Sequence, residues 1–133
     1  MAVRRTPPAH DGIMLAWIHG TASRYAVVPG PDGKPVQGDP VGTERATAIE
    51  AIREAASPDG TMLRADLLSQ QTGLLAGLAL GTRGEHERSR YEVMARLCAE
   101  AAGDDLDPAT VAEWTAIGID RAGPVEPPST SQL

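Results

Sequence analysis

Seven consecutive residues, Leu74-Leu75-Ala76-Gly77-Leu78-Ala79-Leu80, carry no polar side-chain atom. They follow Ser69-Gln70-Gln71-Thr72-Gly73 and end at Gly81. A helical segment without a wet face must be covered on every side, by its own fold or by another chain. The run is therefore read as a central core helix or as an interface. Leu74, Leu75, Leu78 and Leu80 are the candidate interaction residues.

What can cover the run is set by composition. At 133 residues the chain fits one domain, and its hydrophobic fraction of 41% supplies one modest core. Phe is absent, so that core is Leu, Ile, Val, Met and much Ala. Each Ala buries little area, and Ala-rich packing favours closely approaching helices. The formal charge of −6 repels phosphate backbones and anionic lipid heads. A lone cysteine, Cys98, excludes an intramolecular disulfide and suits a reducing cytoplasm, the expected compartment. No apolar run approaches the ~20 residues of a membrane span, so no membrane partner is expected.

Residues 1–12, with Pro7, Pro8 and Gly12, read as a flexible arm. Ile13–Ile18 is a short apolar run between Gly12 and Gly20, which suits a buried strand. Tyr25–Val28 is a second strand, and Pro29-Gly30-Pro31-Asp32-Gly33 a strong turn signal. Lys34–Val36 returns as an edge strand, because Pro35 has no N–H for a central ladder. Residues 13–37 thus read as an antiparallel meander.

From Thr43, a plausible N-cap, the apolar period becomes helical: Ile49, Ile52 and Ala56 share a face, and Ser57-Pro58-Asp59-Gly60 stops the helix. Thr61 can cap the next helix, which Gly73 either breaks or weakens by about 1 kcal/mol. Thr82 and Glu85 match a capping box for a third helix with Tyr91, Met94, Ala95, Cys98 and Ala102 inside, and Gly103 as its stop. Asp107-Pro108 starts a fourth, with Leu106 placed to staple against Val111 and an end near Gly118. Residues 123–133, rich in Pro, Ser and Thr, read as a disordered tail. The expected fold is α+β: a short N-terminal β-meander followed by four α-helices (43–122), packed as one domain over residues 13–122.

Residues 46–75, ATAIEAIREAASPDGTMLRADLLSQQTGLL, resemble the opening of a helix-turn-helix or winged-helix domain, with Thr72-Gly73-Leu74 at the turn. The resemblance implies a three-helix scaffold and, as an alternative function, a DNA-binding transcriptional regulator using Arg64, Gln70, Gln71 and Arg83. A helix that reads a major groove needs side-chain donors and acceptors, and residues 74–80 have none. Lys34 is the only lysine, and no basic hairpin follows to act as a wing.

Catalytic and metal chemistry find little support. His86 lies between Glu85 and Glu87, but neither Ser89 nor Arg90 can complete a metal site one turn on. His10-Asp11 sits in the proposed arm, and His19 at a hairpin end. No catalytic residue, metal ligand or cofactor is assigned. The expected function is a small non-catalytic protein–protein interaction or regulatory protein, whose partner is another protein or itself. A DNA-binding regulator is one alternative. A small enzyme, with His19 or His86 meeting a carboxylate in a cleft, is the other.

Overall fold

The computed structural model describes residues 9–56 and 61–122. Among them the chain is mostly helical, with five α-helices and one two-stranded antiparallel sheet. The helices are α1 (Ala9–Tyr25), α2 (Gly42–Ala55), α3 (Thr61–Gly81), α4 (Glu85–Ala102) and α5 (Pro108–Ala122), and the strands are β1 (Val27–Pro29) and β2 (Pro35–Gln37). The stop expected at residues 57–60 and the tail at 123–133 lie outside the described residues, as do residues 1–8 of the arm.

The meander is corrected at its first strand. Ile13–Ile18 belongs to α1, which already begins at Ala9 inside the expected arm. Leu15, Ile18 and Ala22 are buried apolar positions of α1, a spacing of three and four that defines a helix face. Gly20 does not bound the run, because α1 continues through it to Tyr25. It sits on the solvent side, where it weakens the helix without ending it. The other two expected strands form a hairpin but are shifted, because Tyr25 ends α1 and Lys34 lies in the turn: β1 and β2 pair with Val27 opposite Gln37 and Val28 opposite Val36. Its turn closes through Gly30 N–H to Lys34 O (2.8 Å), and Gly33 takes the left-handed backbone (φ 84°) that the tight reversal needs.

Two helix starts also differ from expectation. Val41, not Thr43, is the N-cap of α2, and no side chain caps it. Gly84 is the N-cap of α4, so the Thr82/Glu85 capping box does not form; the Thr82 hydroxyl donates to Leu78 O instead (2.6 Å). The start of α5 is built as its sequence implies. Asp107 Oδ1 accepts from Ala109 N–H (3.2 Å), and Oδ2 accepts from the Thr110 hydroxyl (2.7 Å). The Asp107 N–H donates to the buried Ser69 Oγ (2.9 Å), which fixes α5 to α3. The helix then runs on to Ala122, one turn past the expected end.

α3 is the centre of the fold and one unbroken helix through Thr72-Gly73-Leu74. The turn that a helix-turn-helix arrangement requires is absent there. α3 packs most extensively on α5, then on α4, and also on α1. Gly73, Gly77 and Gly81 recur every four residues and make one stripe. A Cβ on Gly77 would stand 2.1 Å from Thr115 O and 2.8 Å from Gly118 Cα; one on Gly73 would stand 2.4 Å from Val111 O. Backbone therefore rides directly on backbone. On the side toward α4 and α1, Leu67, Leu68 and Leu75 join Ile18, Ile52, Met94, Leu97 and Cys98 in a single core. An apolar-all-round helix is thus satisfied chiefly by three neighbours of its own chain.

Candidate interaction surface

The four leucines singled out in the sequence separate here. Leu74 and Leu75 are buried, and Leu78 is half-buried against the core. Leu80, in the last turn of α3, is 69% exposed. Beside it runs an open groove of about 460 Å³ between α3 and α4, lined by Ala76, Ala79, Leu80 and Ala95, with Glu92 and Arg96 at its charged edge. The helical spacing explains the groove. Ala76, Ala79 and Leu80 share a side of α3, and Glu92, Ala95 and Arg96 share a side of α4. The alanines leave a trough, and Leu80 stands as a knob beside it. Ile119 of α5, whose backbone lies against Gly77 and Gly81, is another exposed apolar side chain at this end of α3 (44%).

The charged edge is anchored from behind. Arg96 donates to Asp39 Oδ2 (3.1 Å). Arg45, on α2, bonds the other Asp39 oxygen, both oxygens of Glu100 and the Pro40 carbonyl. Burial works to raise the Asp39 carboxyl, but hydrogen bonds from Arg45 and Arg96 outweigh it and hold Asp39 below the usual carboxylate range. Glu100 is held low by its bond from Arg45. This network ties the segment before α2 to α4 and orients the α4 side of the groove.

Residues named for the DNA alternative do not form one outward face. Gln70 donates within its own helix to Asp66 (3.1 Å), and Arg64 is half-buried. Gln71 is 1% exposed, with Nε2 3.4 Å from His19 Nδ1. Of the four, Arg83, between α3 and α4, is exposed.

His19 is therefore no hairpin-end residue but part of a half-buried polar cluster. Its ring meets Tyr91 edge-on (centroids 6.4 Å apart), and Arg90 donates to Ser23 one turn along α1. Burial lowers the His19 pKa, and the Arg90 charge lowers it further. Neither cause is a carboxylate, the partner that the enzyme alternative calls for. Cys98 is fully buried, and burial pushes its thiol up to about 12. Among the described residues, no three His, Cys, Asp or Glu side chains converge to hold a metal, and no helix is long and apolar enough to cross a membrane.

Trp17 is the residue that sequence reasoning misplaced. Expected in a buried strand, it is 65% exposed on α1. The buried spacing Leu15, Ile18 and Ala22 was the available signal that Trp17 lies off the inner face. The groove itself left no mark in sequence, since half of it comes from α4.

No family model matches the chain, and neither the curated proteins nor the solved structures give a match to it.

Proposed function

We propose that this is a non-catalytic interaction or regulatory protein that acts through the α3–α4 groove, with a second copy of the chain as the partner. The observation that carries the reading is Leu80, largely exposed and standing beside an alanine trough of about 460 Å³. A two-fold interface needs one patch that complements itself. Each copy offers both parts: a leucine knob, and a trough lined by Ala76, Ala79 and Ala95 that admits one. The charged edge has the same property. Glu92 and Arg96 stand one helical turn apart with opposite signs, so an antiparallel approach sets each against its opposite on the other copy. Burying Leu80 on both sides contributes about 1.5–3 kcal/mol per side chain in transfer terms.

The test is the solution mass of the full chain by sedimentation equilibrium at low and high micromolar concentration, for wild type and Leu80→Glu. The reading expects wild type to approach twice the chain mass at the higher concentration and Leu80→Glu to remain a monomer with unchanged helical circular dichroism. A wild type that stays monomeric throughout refutes self-association, and an undiminished dimer in Leu80→Glu moves the interface elsewhere.

A further inference from the structure

Arg90 is met by a neutral group rather than a carboxylate among the described residues. It is half-buried on α4 and donates to the Ser23 hydroxyl, but no carboxylate pairs with it among the described residues. Arg45, Arg53, Arg88 and Arg96 each meet one. Removing a guanidinium from water costs free energy that a neutral hydroxyl restores only in part. Arg90 also lines a pocket of about 70 Å³ between α4 and the returning end of the hairpin. His86, Ser89 and Arg90 share that side of α4, and Gln37 of β2 stands across from them, over a floor of Ala26 and Val93. Residues that carry a guanidinium, an imidazole, a hydroxyl and an amide thus line one small space. Glu85 and Glu87, the acidic neighbours in sequence, do not line it, and Glu85 is engaged by Arg88.

We propose that this pocket binds one small tetrahedral oxyanion of the phosphate or sulfate class. The anion would supply the opposite charge that Arg90 lacks, in the two-pronged geometry a guanidinium favours. His86 and Ser89 would donate to its remaining oxygens, and the volume admits a single such ion but no nucleotide. The site lies apart from the Leu80 groove, with no lining residue in common, so it stands or falls independently of self-association.

The test is a titration of the full chain with inorganic phosphate, then sulfate, at constant ionic strength against chloride, followed by backbone amide shifts. Saturable shifts confined to residues 37–38 and 86–90, weakened at least tenfold in Arg90→Gln and several-fold in the exposed-site variant His86→Gln, are expected. Shifts no larger than those from chloride would overturn the proposal. Undiminished phosphate affinity in a folded Arg90→Gln, or in His86→Gln should Arg90→Gln not fold, would overturn it equally.

Discussion

Replacing Gly77 by alanine should destabilise the protein, although the same change at Gly20 should stabilise it. Both glycines lie inside helices, so in both cases alanine gains about 0.5–1 kcal/mol of helix propensity. Their surroundings differ. A Cβ at position 20 meets nothing within 4 Å. At position 77 it meets Thr115 O at 2.1 Å, Ile119 N at 2.7 Å and Gly118 Cα at 2.8 Å. All three are main-chain atoms of α5, so no side-chain rotation relieves the overlap. Restoring ordinary separations of roughly 3.5 Å requires α5 to retreat by about 1 Å or more, which loosens the contacts along its whole length. Overpacking of this kind costs about 1–3 kcal/mol. The net expectation is a loss of about 1–2 kcal/mol for Gly77→Ala, set against a gain of about 0.5–1 kcal/mol for Gly20→Ala. Urea denaturation at equal protein concentration reads both as midpoint shifts of opposite sign at unchanged slope. A Gly77→Ala protein as stable as Gly20→Ala would refute the close seating of α5 on α3.

Three further outcomes follow from the core and the polar cluster. Leu75→Glu places a carboxylate in the fully buried centre and should cost more than 4 kcal/mol or prevent folding, read by circular dichroism, whereas Leu80→Glu should stay within about 0.5 kcal/mol of wild type as a monomer. With its thiol pushed up to about 12 by burial, Cys98 should resist alkylation at pH 8 in the folded protein and react promptly in denaturant. The lowered His19 pKa means that the unfolded chain takes up a proton there first as pH falls through about 6.5. Its contribution is therefore complete above that value and is lost progressively as pH falls toward the lower folded pKa. His19→Gln should flatten that part of the stability–pH curve, measured by urea midpoints between pH 5 and pH 8.

Much of the helical architecture can be read from residues alone, because caps and periodicity are local. Asp107-Pro108, the stop at Gly103 and the inward stripe of α4 each depend on neighbours within one or two turns. Two local signals mislead, since neither Thr43 nor Thr82 is an N-cap; the other failures come where a distant element decides. Gly73 and Gly77 look like weak points of a helix until α5 is placed on them; then the missing side chains are what allow the two backbones to meet. Gly12 and Gly20 made a six-residue run look like a strand, although Leu15, Ile18 and Ala22 already carried a helical spacing. Leu74, Leu75, Leu78 and Leu80 are chemically equivalent in sequence. Only the positions of α4 and α5 divide them into buried, half-buried and exposed. The setting of Arg90 is not legible in sequence for a similar reason, since what meets a charge is a property of the surroundings.

The central functional claim is that copies of this chain meet at the Leu80 groove. Its most direct test is the amide spectrum of the uniformly labelled wild type, recorded from low to high micromolar concentration. Concentration-dependent shifts centred on Ala76, Leu80, Glu92, Ala95 and Arg96 are expected, with the Trp17 side of α1 unchanged. Spectra that superimpose at every concentration, or shifts confined to the Trp17 side, would contradict it.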